Sequence, residues 1–175
     1  MGYPCADVST FNKLYQELKE TYRDANHITY AYHINETGTV KIRFSDDGEP
    51  SGTAGKPILN HIEGNNLINT VIFVIRYFGG VKLGTGGLIR AYGNGAREVL
   101  LQGKLKAYIE QETLQFVIGY DQLKHLEYCL YKKEGTFLSK EFGEKLECTI
   151  QIPKTHRLDF LDLLGFQPEN VENIN

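Results

Sequence analysis

The stretch RYFGGVKLGTGGLIRAYGNGAR, residues 76–97, decides how this chain is interpreted. It contains seven glycines and four basic residues but no acidic residue. Glycine permits positive φ and a close approach of another backbone, and clustered basic side chains attract anions. The stretch is therefore interpreted either as a surface that holds a phosphate or an RNA backbone, or as a sharply turning connection between a strand and a helix.

Neither of the common glycine-loop templates for nucleotides fits this chain. A dinucleotide fingerprint within residues 84–89 would need a glycine where Ile89 stands. A Walker A loop ending at Lys56 would need a glycine in place of Pro50 and a serine or threonine in place of Pro57. Binding of NAD or FAD is therefore not expected, and no cofactor or metal is predicted.

Length and composition place the chain among ordinary soluble proteins. Its 175 residues suffice for one large or two small domains, and its net charge of −3 makes it no general polyanion binder. No apolar run is long enough to span a membrane, and the N-terminus has no signal-peptide pattern. The three cysteines form no CxxC pair, which favours buried packing residues in a reducing cytoplasm.

The pattern of apolar and turn residues predicts an α+β protein with two domains. The first half is predicted to contain helices near 8–24, 56–64 and 86–101, and strands near 27–34, 39–45, 69–78 and 105–119. The second half follows the order β-α-β-β-α, with a possible short last strand, which is the ferredoxin-like order. The boundary is placed near Ala107.

The segment SDDGEPSGTAGKPIL, residues 45–59, is a second glycine-rich cluster. Its backbone N–H groups, next to a helix N-terminus and Lys56, are predicted to form an anion nest. Two alternatives remain open. Asp46, Asp47 and Glu49 would suit a hard cation such as Mg²⁺, or the segment is simply an exposed turn whose acids face water.

In the first-quoted stretch, Thr85 is predicted to cap the following helix, and Lys82 and Arg90 to reach an anion bound there. Gly93 and Gly95 are expected to lie against another backbone or a ligand, because glycine inside a helix is costly. The aromatic residues that could stack on bases are Tyr30, Tyr32, Tyr77, Phe78 and Tyr92, with core packing the favoured alternative. Alternation along a strand would expose only one of Tyr77 and Phe78. His27, beside the carboxylates, is a less favoured acid–base candidate.

The two glycine-rich segments together resemble the IMPACT family, including its bacterial YigZ-like members. RFSDDGEPSGTAGKPIL, VIFVIRYFGGVKLGTGGLIRAYG and the strand HITYAY stand in the family's order. The matching positions of the first segment are Asp46, Asp47, Gly48, Glu49, Pro50, Ser51, Gly52, Thr53, Ala54 and Gly55. Those of the second are Arg76, Tyr77, Gly79, Gly80, Lys82, Gly84, Gly86, Gly87 and Arg90.

The resemblance implies an N-terminal Impact domain over residues 1–106 with the fold of ribosomal protein S5 domain 2. Residues 107–175 are then expected to form a ferredoxin-like domain similar to one of elongation factor G. The family pattern opens with a strand that this chain begins just after, so the first strand is expected to be missing. A role around translation is implied, whereas the kinase-related role of eukaryotic members requires a partner-binding domain that this sequence lacks.

The favoured hypothesis is a cytoplasmic regulator of translation that binds RNA or a ribosomal surface and no membrane. Arg76, Lys82 and Arg90 would contact phosphate, with backbone N–H groups of the glycine loops beside them. One alternative is a phosphate- or nucleotide-binding enzyme on an S5-like fold, with Mg²⁺ on the loop acids and phosphates on Lys56 or Lys82. Another is a protein-binding module that uses the ferredoxin-like half as its contact surface.

Overall fold

The structure is a computed structural model, and it describes residues 1–36, 38–165 and 169–173. The chain divides into two compact units, Met1–Lys106 and Ala107–Asn175. Each unit contains one four-stranded antiparallel sheet, and the described residues form five α-helices in total. The prediction of an α+β protein is therefore confirmed.

The first unit is built around a sheet with the strand order β1-β4-β2-β3. Its elements are β1 (Gly2–Pro4), α1 (Val8–Thr21), β2 (His27–Glu36), β3 (Thr39–Ser45), α2 (Gly55–Gly64), β4 (Thr70–Arg76) and α3 (Gly84–Gln102). Gly2 pairs with Ile72, so the first residues of the chain form an edge strand of this sheet. Residues 103–110, part of the predicted strand 105–119, lie outside any strand.

Strand β4 is apolar on both faces because helices cover both faces of the sheet. Val71 and Phe73 pack in a buried cluster with Phe11 of α1. Ile72, on the opposite face, packs in a second cluster with Ile58 of α2 and with residues of α3. Successive strand residues point to opposite sides, so a strand between two helical layers has no face left for polar side chains.

The helix ends agree only partly with the sequence signals. Asp7 caps α1, since its Oδ1 accepts the Thr10 N–H at 2.7 Å. Helix α3 already begins at Gly84, and Leu83, at its cap position, provides no side-chain hydrogen bond. The prediction that Thr85 caps α3 is wrong, because Thr85 lies inside the first turn.

Helix α3 packs closely against its own unit at its two internal glycines. A Cβ atom added at Gly93 would lie 3.5 Å from Nε2 of His61, and one at Gly95 would lie 3.4 Å from the Val74 methyl groups. These neighbours belong to α2 and β4. The neighbours within 4 Å are thus side chains at ordinary van der Waals distance, and the expectation of another backbone at this place is wrong.

The second unit has the element order β5-α4-β6-β7-α5-β8 and the sheet order β6-β7-β5-β8. Its elements are β5 (Gln111–Ile118), α4 (Leu123–Lys132), β6 (Thr136–Phe142), β7 (Leu146–Pro153), α5 (Arg157–Leu164) and β8 (Glu169–Asn173). Phe116, Leu126 and Phe160 lie in its buried core. All three cysteines of the chain are buried and free. Among the helices that the structure describes, none combines the length and apolarity needed to cross a membrane.

Candidate functional site

Glu49 is the centre of a group of polar side chains at one end of the first sheet. Its side chain is only 5% exposed, and its Oε1 accepts hydrogen bonds from Nη1 of Arg76 and from the Tyr92 hydroxyl, the latter at 2.7 Å. Nε2 of His27 lies 3.7 Å from the same oxygen. These four residues, His27, Glu49, Arg76 and Tyr92, are called the Glu49 network below.

The secondary structure explains why these residues meet. His27 at the start of β2 and Arg76 at the end of β4 are directly opposite in the antiparallel ladder, so their side chains share a face. Tyr92 reaches the same point from α3, with its ring buried in the core between α2, α3 and the sheet. The His27 ring is fixed from the other side, because its Nδ1 donates to the Asp47 carbonyl at 2.7 Å.

Hydrogen bonds and charges keep the Glu49 carboxylate ionised. Burial raises the pKa of Glu49, but the hydrogen bonds from Tyr92 and Arg76 and the charges of His27 and Arg76 outweigh it and leave that pKa below its usual value. Burial, followed by the hydrogen bond to Glu49, raises the pKa of the Tyr92 hydroxyl. At neutral pH the carboxylate is therefore charged and the phenol is neutral, which suits a structural ion pair better than proton transfer.

The anion nest predicted in residues 45–59 is filled by the carboxylate of Asp46. Oδ1 of Asp46 accepts the N–H groups of Ala54 at 2.9 Å and Gly55 at 2.8 Å, and Oδ2 accepts that of Gly52 at 2.8 Å. Asp46 thus neutralises the N-terminus of α2. The prediction that these groups hold an external anion is wrong, because their donor capacity is already used.

The three acids of this loop are also unsuited to share a cation. Asp46 is turned to the start of α2 and Glu49 to Arg76 and Tyr92. Oδ2 of Asp47 accepts the Ile28 N–H at 2.6 Å. Within residues 1–36, 38–165 and 169–173, no group of three or more His, Cys, Asp or Glu side chains is arranged to hold a metal ion. The geometry therefore gives no support to the Mg²⁺ alternative.

The other residues of this loop mainly shape its backbone. Gly48 and Gly52 have φ angles of 86° and 75°, in the left-handed region that favours glycine. The buried Thr53 hydroxyl donates to the Pro50 carbonyl at 2.6 Å. The exposed polar members are Ser51 and Lys56. Most of the loop is thus fixed by internal contacts.

Acidification should weaken the first unit through these carboxylates. Burial raises the pKa of Asp46, but its three backbone hydrogen bonds outweigh it and lower the pKa overall, as the network does for Glu49. A carboxylate whose pKa is lower in the folded state stabilises the fold fully at pH values above its pKa in the unfolded state, which is 3.8 for Asp and 4.5 for Glu. That stability is lost as the pH falls from there through the folded pKa.

We therefore expect the urea midpoint of the first unit to drop steeply below about pH 4.5. Circular dichroism in urea between pH 7 and pH 3 measures it. Asp46→Asn should be less stable at pH 7 and should show a flatter decline on acidification. Equal slopes for the parent and the variant would show that Asp46 does not contribute.

Tyr77 and Phe78 are both exposed, to 50% and 47%. The strand ends at Arg76, so the alternation that would have buried one of the pair no longer applies, and the prediction of a single exposed aromatic is wrong. The Tyr77 hydroxyl donates to Asp24 at 2.9 Å and the Phe78 N–H to Asn26 at 2.6 Å. The loop is thus anchored while its rings face outward.

The remaining aromatic candidates belong to the core. Tyr30 and Tyr32 lie in the buried cluster under α1, and Tyr92 lies in the cluster under α2 and α3. Their proposed role in base stacking is wrong, and the alternative of core packing is confirmed. Among the aromatic candidates, the exposed rings are those of Tyr77 and Phe78 in the loop that follows β4.

The basic residues of the second segment divide into two groups. Lys82 and Arg90 are exposed and have no carboxylate partner among the residues that the structure describes. The Arg76 side chain is only 17% exposed and is paired with Glu49. Its Cζ lies 5.6 Å from the centre of the Phe78 ring. The surroundings of Arg76 therefore favour an internal role over the predicted contact with phosphate.

The glycines around these cations keep the backbone accessible. Gly80 and Gly84 have φ angles of 85° and 67°. A Cβ atom added at Gly79 or Gly86 would have no neighbour within 4 Å. Gly87 differs, because a Cβ atom there would lie 3.0 Å from Cβ of Leu83. Glycine is thus needed for conformation at some positions and leaves open surface at others.

Comparison with known proteins places this site in a family. The model of the Impact N-terminal domain matches residues 1–100, which include both glycine-rich segments and the whole Glu49 network. The chain belongs to the IMPACT family. Residues 107–175 of this IMPACT chain lie outside the matched domain.

Several bacterial IMPACT proteins are similar to the chain. It is 35% identical to an IMPACT family member of Haemophilus influenzae over 137 aligned residues. The alignment covers 78% of this chain and 66% of that protein. It is 32% identical to YigZ of Escherichia coli over 83% of this chain and 72% of YigZ. YvyE of Bacillus subtilis is 48% identical over 49% of this chain and 39% of YvyE. A crystal structure described as that of a hypothetical protein superimposes with a TM-score of 0.66 at 29% identity, covering 99% of this chain and 85% of that one.

Within residues 76–97 of the IMPACT domain, sequence reasoning missed three exposed apolar residues, Val81, Leu83 and Ile89. A single sequence normally assigns such residues to a core. The sequence does contain one indication that they are exposed, because Val81 and Leu83 stand in a glycine-rich turn with no helical or strand periodicity. They lie in the same segment as Lys82 and Arg90.

Proposed function

We propose that this protein is a cytoplasmic regulator of translation that binds single-stranded RNA, including RNA exposed on the ribosome. The binding surface is the RNA face, defined as Tyr77, Phe78, Lys82 and Arg90 with the exposed backbone of Gly79–Gly86. The observation that carries the proposal is that residues 77–90 contain two exposed aromatic rings and two exposed cations, and that neither cation has a carboxylate partner among the described residues. The proposal includes an S5 domain 2-like fold for the first unit and an elongation-factor-type, ferredoxin-like fold for the second, which the order β6-β7-β5-β8 supports.

Each part of the RNA face supplies one element of recognition. Aromatic rings stack on bases of any sequence, and lysine and arginine bind the phosphates. The N-terminus of α3 has no side-chain cap and no acid in its first turn, so its N–H groups add to the attraction for phosphate. Because few cations take part, we expect modest affinity and a shallow dependence on salt.

The nucleotide-binding enzyme is less well supported. Its catalytic cation would require the loop carboxylates, which are occupied by backbone and side-chain donors. The basic and aromatic residues instead lie on an exposed loop and at the start of a helix, an arrangement suited to an extended polymer.

Removal of the two cations should weaken RNA binding. We expect Lys82→Ala with Arg90→Ala to reduce affinity for a fluorescent twelve-nucleotide RNA and to lower the salt slope by about 1.4 units, since each phosphate contact on a single strand contributes about 0.7. Fluorescence anisotropy between 50 and 300 mM KCl measures both. Lys13→Ala with Lys124→Ala is the matched control, because it removes the same charge from exposed positions on α1 and α4. Equal losses in the two double variants would refute a localised face.

Loss of the exposed ring at position 78 should act differently. Phe78→Ala should weaken binding by about 5- to 150-fold, the usual effect of one stacked base, without changing the salt slope. Tyr131→Ala removes an exposed ring from the second unit and serves as the control. An unchanged affinity in Phe78→Ala would remove stacking from the proposal.

A further inference from the structure

Strand β3 forms an edge of the first sheet that no other described strand covers. It pairs antiparallel with β2 from Tyr30↔Ser45 to Glu36↔Thr39 and stands at the end of the sheet order. The N–H and C=O groups that point away from β2 therefore have no strand to pair with. Such an edge is a template for the addition of another strand.

The side chains of β3 divide into two unlike faces. Val40, Ile42 and Phe44 lie on one face and are 54%, 46% and 42% exposed. Lys41 and Arg43 lie on the other face and are also exposed. Cations on an edge are a common protection against aggregation, but they do not account for three consecutive same-face apolar residues in contact with water.

A second copy of the chain does not suit this edge. Antiparallel pairing of two β3 strands over five or more residues keeps the apolar residues on one face only in registers that align cations. When Ile42 of one copy is opposite Ile42 of the other, Lys41 of each copy is opposite Arg43 of its partner. When the register is shifted by two residues in either direction, Arg43 is opposite Arg43 or Lys41 is opposite Lys41. Like charges that stand directly opposite each other destabilise a strand pair.

The charges therefore define the partner. Lys41 already contacts Glu36 of the neighbouring strand, whereas Arg43 has no carboxylate partner among the described residues. An incoming strand with acids opposite the two cations and apolar side chains opposite the other three residues would complete both faces.

We propose that β3 accepts an extended segment of a partner protein as an additional strand, and that this segment alternates apolar residues with aspartate or glutamate. The length of β3, seven residues, sets the length of the segment. Backbone hydrogen bonds provide the attachment, and the alternation fixes the register. This surface is made of other residues than the RNA face.

The test uses two fluorescent peptides, Thr-Val-Glu-Val-Glu-Val-Thr and Thr-Val-Lys-Val-Lys-Val-Thr, with blocked ends. We expect saturable binding of the glutamate peptide, about tenfold tighter than that of the lysine peptide, because two attractive pairs replace two repulsive ones. N-methylation of alternate residues should abolish binding, since it removes backbone donors. The amides of β3 should gain protection from hydrogen exchange when the glutamate peptide is bound.

Two protein variants locate the effect. Arg43→Glu should abolish the preference between the peptides, because it leaves one attractive and one repulsive pair with either peptide, whereas Lys13→Glu, an equal charge change on α1, should leave the preference unchanged. Ile42→Thr keeps a good strand former at this position. It should lower the affinity for the glutamate peptide by about fivefold, because threonine offers a smaller apolar surface. Circular dichroism establishes that each variant is folded.

Three results would overturn the proposal. The first is no saturable binding of the glutamate peptide, and the second is equal binding of the two peptides. The third is a dimer in analytical ultracentrifugation that Ile42→Lys dissociates, which would make a second copy the occupant. The RNA affinity of Arg43→Glu is expected to match that of the parent, so failure of this proposal and failure of RNA binding can be distinguished.

Discussion

Glu49→Ala is expected to lower the free energy of unfolding of the first unit by about 3 kcal/mol, as when one partner of a buried ion pair is removed. The variant would leave the Arg76 guanidinium and the His27 ring without the carboxylate and the buried Tyr92 hydroxyl without its acceptor. Urea unfolding followed by circular dichroism measures the loss. Hydrogen exchange of β2 and β4 in urea attributes it to the first unit.

Two comparisons make the result interpretable. Glu98→Ala makes the same change at an exposed position of α3 and should cost little. Glu49→Gln keeps an oxygen acceptor for Tyr92 but loses the charge, so a smaller loss than in Glu49→Ala is expected. If Glu49→Ala unfolds at the same urea concentration as Glu98→Ala, the network does not stabilise the fold.

The second large effect is expected at Gly55. A Cβ atom there would lie 2.8 Å from N and O of Ser45, so the backbone of β3 or the start of α2 would have to move. Gly55 also donates its N–H to Asp46, and the movement would disturb that contact. We expect Gly55→Ala to cost about 1–3 kcal/mol, as for an overpacked core, although alanine is the better helix former.

Gly64 on the same helix is the matched control. It has no neighbour within 4 Å of an added Cβ atom, so Gly64→Ala should be neutral or stabilise by up to about 1 kcal/mol. Thermal unfolding of both variants gives the comparison. An increase in melting temperature for Gly55→Ala would contradict the close approach of Ser45.

The elements with a clear period could be predicted from the sequence. The rhythm of Phe11, Leu14 and Leu18 and the Asp7 cap indicate α1, and the run Val71–Ile75 indicates a strand buried on both faces. These signals are local, so one sequence contains them. The glycine-rich segments were specific enough to indicate the family, which the Impact domain match shows.

The candidate site was predicted less well because its contacts are not local. Gly52, Ala54 and Gly55 look like an open anion nest in the sequence, and only the folded loop shows that Asp46 occupies it. Arg76 looks like a free cation until Glu49 is placed beside it. Glycine clusters and charge patterns indicate where a working surface lies, but donors and acceptors can be paired only in the folded chain.

The Glu49 network also has a kinetic consequence. The Glu49 carboxylate accepts hydrogen bonds from Arg76 and Tyr92, which lie 27 and 43 positions further along the chain. The network can therefore form only after β2, β4 and α3 have come together. Closing such long loops costs entropy before any contact repays it. Contacts that form after the transition state mainly slow unfolding. Glu49 is therefore expected to set the lifetime of the folded first unit more than the speed of its formation.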